Sequence, residues 1–150
     1  MRIEDWGLGI GDWGRLTMQE ENASTVTPEV IEGRLEQFAL EVLRLTRPLL
    51  STLSGRDSAA QLRRAATGAF SNYGAARVAR SHADFTSKIG IALEEADESR
   101  RWLRLLKAAD LLHDKCTDEL ISESGELRAL LSSTHLTAKQ NRNKYRRQKR

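Results

Sequence analysis

Three histidines, one cysteine and a cluster of carboxylates are the residues of this 150-residue chain that could do chemistry. His82, His113 and His135 read as lying at three different helix ends, with no ligand spacing among them. His113 and Cys116 stand three apart and could share a metal ion, but a zinc site needs further ligands and no second pair follows. Ser81, His82 and Asp84 include the residue types of a hydrolytic triad. Groups so close in sequence rarely reach triad geometry, and Ser81 with Asp84 makes a capping-box-like start to a helix. Glu94, Glu95, Asp97 and Glu98 could line a carboxylate metal site inside a bundle. Such a site also wants Glu-x-x-His on two helices, which the chain lacks, and Arg100 and Arg101 stand near enough to pair with these acids. No nucleophile elbow, phosphate-binding loop or dinucleotide fingerprint occurs. The expectation is a protein that is not an enzyme, with no catalytic residue, no metal and no cofactor.

The basic residues are arranged more suggestively. Lys139, Arg142, Lys144, Arg146, Arg147, Lys149 and Arg150 crowd residues 139–150 with no acid among them. The net charge of +3 therefore conceals a body, residues 1–138, at about −4, and a strongly basic tail. Such a tail suits phosphate, and nucleic acid is its commonest partner, although a tail of this kind can also serve solubility alone. Within 58–81 there is no acid, and Arg63, Arg77 and Arg80 fall within an arc of about 100° on a helix, a second candidate phosphate-binding stripe.

The elements that must position these groups are helices. Leucine occurs 21 times and alanine 17, against 10 valines and isoleucines together, and only Pro28 and Pro48 interrupt the chain. Residues 1–26, with Asp5-Trp6-Gly7, Asp12-Trp13-Gly14 and two further glycines between them, read as a weakly ordered arm. Thr27 caps and Pro28 opens a first helix whose Leu35, Phe38, Val42, Leu45 and Leu49 form a heptad seam ending near Pro48. A second, thin, alanine-rich helix runs from about Asp57 or Ser58 to Arg80 with Leu62, Ala66, Ala69, Tyr73 and Ala76 inward. Ser81 starts a third, carrying Phe85, Ile89, Ala92, Ala96, Leu103 and Leu106. A break over 112–117, with Thr117 as cap, leads to a fourth carrying Leu120, Ile121, Leu127, Leu130 and Leu131. Gly125 weakens that helix midway. Residues 27–138 thus read as an all-α, up-and-down four-helix bundle, with 139–150 as a basic C-terminal tail.

Trp102, Leu103, Leu105 and Leu106 cover an apolar arc of about 160°, wider than one bundle hides, so self-association is the simplest cover. Asn72, beside Ala69 and Tyr73, either fixes register at such an interface or faces a wet groove. Asn72, Trp102 and Leu105 are the candidate oligomer contacts. The lone cysteine fits a reducing compartment, the start of the chain does not read as a signal peptide, and no apolar run is long enough to span a membrane. The expected location is cytoplasmic.

Several stretches resemble the four-helix bundle family of 23S rRNA intervening-sequence proteins. They are Gln61-Leu62-Arg63-Arg64-Ala65-Ala66, Ser71-Asn72, Arg80-Ser81-x-x-Asp84-Phe85-x-x-Lys88-Ile89-x-Ile91-Ala92, Glu95-Ala96-Asp97-Glu98-Ser99, Trp102-Leu103-x-Leu105-Leu106, Glu126-Leu127 and Thr137-Ala138-Lys139. The resemblance covers residues 34–142. Where the family often has Ile-Ala-Glu-Gly after Ser-Asn, this chain has Tyr73-Gly74-Ala75-Ala76, which removes an acid from the second helix. The resemblance implies a homopentameric barrel. It also implies a relation to the accessory variability protein of diversity-generating retroelements, a basic pentamer that binds nucleic acid and a reverse transcriptase. It supplies no catalytic residue. The expected function is a non-enzymatic, oligomeric accessory protein that binds RNA or DNA through phosphates, largely without regard to sequence. The alternative is a protein-interaction scaffold of the same bundle family with no direct role at nucleic acid.

Overall fold

The computed structural model describes residues 26–148, so the Trp-Gly arm and the last two residues lie outside the description. Four helices account for nearly all of the described chain: α1 (Pro28–Thr46), α2 (Arg56–Arg77), α3 (His82–Ala108) and α4 (Lys115–Gln148). They run up and down, α2 packing most extensively on α3 and α3 on α4, while α1 closes the ring against α2 and α4. No strand occurs among the described residues.

The first helix starts where its caps dictate. Thr27 is extended and its Oγ1 accepts the Val30 N–H at 3.3 Å, with Pro28 filling the first helical position. At its other end α1 tightens into a 3₁₀ turn, Arg47–Ser51, because Pro48 has no N–H to continue the α ladder. Ser81 caps α3 by accepting the Asp84 N–H at 3.1 Å. Asp84 returns a bond one residue earlier than a capping box would, its Oδ2 accepting the Arg80 N–H at 3.1 Å.

The core follows the sequence periodicity. Leu35, Phe38, Val42, Leu62, Ala66, Ala69, Phe85, Ile89, Ala92, Leu103, Leu106, Leu127 and Leu131 are all buried, whereas Leu45, Ile121 and Leu130 lie at its margin. Alanines at Ala59, Ala65, Ala66, Ala69 and Ala76 bring α2 close to its neighbours.

Three boundaries differ from the sequence expectation. α2 stops at Arg77, short of Arg80, since the chain must reverse over 78–81 to present Ser81 in an extended conformation. α4 begins at Lys115, so Thr117 is not its cap; Thr117 is fully buried inside the helix and its Oγ1 has no hydrogen-bond partner. Residues 139–148 do not form a separate coil: they prolong α4 as one continuous helix. Ala138, just before this stretch, is buried, and the cations of the stretch are all exposed.

Candidate nucleic-acid interface

The antiparallel topology gathers one end of the bundle from the start of α1, the end of α2, the start of α3 and the far part of α4. His82 Nε2 donates to the Ala138 carbonyl at 2.7 Å, which pins α4 beside the N-terminus of α3 at that level. Ten further residues of α4 project beyond this point, about 15 Å of helix at 1.5 Å per residue. Lys139, Arg142, Lys144, Arg146 and Arg147 lie on this overhang, all exposed, with no acid among residues 139–148 and no salt bridge to any described residue. Lys139, Arg142 and Arg146 are spaced three and four apart and so share one face. Lys149 and Arg150 lie outside the described residues.

His135 sits at the root of the overhang, its ring flush against the α3 backbone: a Cβ on Gly90 would come within 3.1 Å of Nε2. Burial, and after it the Lys139 ammonium, hold the imidazole below its ordinary pKa, opposed by Glu94.

The three arginines of the expected stripe meet three fates, and Arg80 lies past the end of α2. Arg63 is half-buried and donates through one Nη to the Leu43 carbonyl at 2.8 Å and to Thr46 Oγ1 at 3.1 Å, closing the C-terminus of α1. Arg77 pairs with Glu32 and Glu29 of α1. Arg80 alone is exposed and enters no salt bridge among the described residues; it stands two residues from His82, at the same end as the overhang. The stripe therefore does not present a continuous phosphate-binding surface. Its other members are bound to α1, whose carbonyls and acids a single-helix projection does not show.

The candidate oligomer contacts differ in exposure. Leu105 is 54% exposed, as the wide arc on α3 requires. Trp102 is half-buried, with its Nε1 donating to Glu98 Oε1 at 3.2 Å. Asn72 is half-buried and its Nδ2 donates to the Gly68 carbonyl of its own helix at 2.9 Å.

The carboxylates of α3 are held by other helices more than by their own neighbours. Asp97 pairs with Arg101 and with Arg128 of α4, and Glu98 with Arg64 of α2 at 2.7 Å. Glu95, which the sequence reading placed among surface ion pairs, has a side chain only 19% exposed, and its Oε1 lies 3.5 Å from Arg64. Its Oε2 is buried without a hydrogen-bond partner, and the carboxyl rests on Gly68. Burial raises its pKa, Arg64 working in the opposite sense. Nothing in the sequence signalled this, since the small residue beneath it belongs to α2. His113 Nδ1 lies 3.1 Å from Asp110 Oδ1. Among the described residues no three His, Cys, Asp or Glu side chains converge as a metal site, and no helix is long and apolar enough to cross a membrane.

The arrangement is that of a small helical-bundle protein with a dense run of cations on a helical overhang at one end. The chain belongs to the family of 23S rRNA-intervening sequence proteins, whose model matches residues 32–133. It is also similar to a crystal structure from Bacteroides thetaiotaomicron, described as a protein with unknown function from the S23 ribosomal protein family. The two are 29% identical with a TM-score of 0.67, over 72% of this chain and 96% of that one. None of the curated proteins matches the chain. The matched family span stops before Ala138, so the basic overhang lies beyond it.

Proposed function

We propose that this protein is a non-enzymatic, oligomeric accessory protein that binds the phosphate backbone of RNA or DNA through the α4 overhang. The observation that carries this reading is the row of exposed cations at Lys139, Arg142, Lys144, Arg146 and Arg147 on a continuous helix, none of them neutralised by a described residue. Arg80 adds to this surface, and the sequence continues with two further cations, Lys149 and Arg150. Arg63 and Arg77 serve the bundle instead. Binding of this kind is charge-driven, salt-sensitive and nearly blind to sequence. The exposed Leu105 supports self-association, and the family resemblance argues for a pentamer as the assembly and a reverse transcriptase as the protein partner. The lone, half-buried Cys116 suits the cytoplasm.

The test is anisotropy of a labelled structured RNA titrated at several salt concentrations. The full chain is run beside a variant with Arg142, Lys144, Arg146 and Arg147 all changed to Gln. Each phosphate contact on a single-stranded segment contributes about 0.7 to the slope of log K against log salt, so the variant's slope falls by about 3 per engaged chain. If the full chain does not bind at low salt, or the slope is unchanged, the overhang is not a phosphate-binding element and the bundle is a protein scaffold.

A further inference from the structure

The corner between α2 and α3 holds a cleft of about 600 Å³ lined by Ala75, Val78, Arg80, Ser81, Asp84 and Lys88. That volume lies within the range of ligand clefts. One side is apolar, and Val78 is left 77% exposed there. The other side is cationic: Arg80 enters no salt bridge among the described residues, and Lys88 Nζ lies 3.1 Å from Asp84 Oδ1. The Asp84 carboxylate is already engaged, accepting from the Arg80 N–H and facing Lys88. An exposed apolar side chain beside a cation that lacks an ion pair suits an aromatic ring flanked by a carboxylate.

The chain carries that combination twice, in Asp5-Trp6-Gly7 and Asp12-Trp13-Gly14, within residues 1–25 that hold five acids against Arg2 and Arg15. These residues join the fold at Val26, which packs on the core at the end of the bundle where the cleft opens. The start of α1 is beside the end of α2, since Tyr73 Oη donates to the Pro28 carbonyl at 3.3 Å and Arg77 pairs with Glu29. Neighbouring helices are about 10 Å apart. The stretch from Trp13 to Val26 reaches about 40 Å when extended, so the length of chain is ample.

We propose that an Asp-Trp-Gly triplet of residues 5–14 docks in this cleft of its own chain. The indole covers Val78 and Ala75 beside the Arg80 guanidinium, and the triplet's aspartate pairs with Arg80 or Lys88. This docking does not depend on the nucleic-acid reading, and its test uses no nucleic acid.

The full chain labelled with 5-fluorotryptophan gives fluorine resonances for Trp6, Trp13 and Trp102, assigned by changing each in turn to Phe. Docking displaces the Trp6 or the Trp13 resonance from its position in a peptide of residues 1–16. Val78→Asp and Arg80→Glu each return it toward the peptide position. Both substituted side chains are exposed, and Trp102, about 20 Å further along α3 than Lys88, keeps its resonance while the fold is intact. Should one variant disturb Trp102, the other decides. The proposal is overturned if both arm resonances coincide with the peptide's in the unmodified chain, or if neither variant moves them. It is equally overturned if the displacement disappears on dilution, because the occupant is then another copy's arm.

Discussion

Arg63 and Arg77 share a face of α2, Arg80 follows just past its end, and the three differ in what stands opposite them. For Arg63 it is the carbonyl-bearing end of α1, and for Arg77 the acids Glu29 and Glu32. Opposite Arg80 there is only a cleft. The face was legible from spacing of 3.6 residues per turn, but the partners were not, because they lie some 20 to 50 residues away in sequence. Glu95 teaches the same lesson with a consequence for stability. Its carboxyl lies on Gly68 with one oxygen unpartnered, and burial raises its pKa. Because the folded form takes up the proton more readily than the unfolded chain, the ionised group detracts from stability at neutral pH. That penalty is relieved as the pH falls through the raised folded value, and below the ordinary glutamate value, about 4.3, it contributes nothing. Glu95→Gln is therefore expected to raise the urea midpoint at pH 7, by a margin that shrinks on acidification and is gone below pH 4. Arg64 retains Glu98 as a partner in the variant. An equal gain at both pH values would show that the ionisation is not the cause.

At the scale of the helices, existence and inward faces followed from periodicity, while several ends did not. The end of α3 shows why. The Leu111 N–H donates to the Leu106 carbonyl and the Asp110 N–H to the Lys107 carbonyl, each at 3.0 Å, which is the Schellman pattern of hydrogen bonds. Its left-handed position normally falls to glycine, and here Asp110 takes it with φ 58°. A sequence reader looking for glycine finds no stop at Ala108 and places the break several residues late. An L-residue with a Cβ is disfavoured in this region, aspartate less than most. Asp110→Gly is accordingly expected to stabilise the fold by roughly 0.5–1 kcal/mol, read as a higher thermal midpoint. The contact it gives up, to His113, is exposed and worth little. A lower midpoint would mean that the aspartate's local contacts outweigh the backbone relief. Thr117 failed as a cap for a related reason: threonine suits caps and also fills buried helix positions, and only the neighbours distinguish the two.

Across the whole molecule, ion pairs lie along the bundle, while the densest run of cations without a salt bridge to a described residue is the overhang. Arg34 with Glu123 and Glu126, Arg77 with Glu29 and Glu32, and Arg128 with Asp97 tie helices together, whereas the overhang cations have no such partner. The basic run was plain in the sequence, but its continuation as helix was not, because 139–150 has no apolar periodicity to announce one. An extension whose cations are all exposed is held chiefly by its own ladder and by continuity with α4. Arg142 and Arg146 repel at i and i+4, each such pair costing about 0.2–0.5 kcal/mol, while cations near a helix C-terminus are favoured by its dipole. The overhang should accordingly sit at the low end of local stability. Hydrogen exchange is expected to show fast amides over 141–148 and strong protection over 120–138 in the protein alone. Adding RNA at low salt neutralises the cations, removes the repulsion and slows exchange over 141–148, leaving the loop at 109–114 at the opposite end unchanged. Protection appearing at that loop and absent from the overhang would place the phosphate surface at the other end of the bundle, where Arg104 and Lys107 stand.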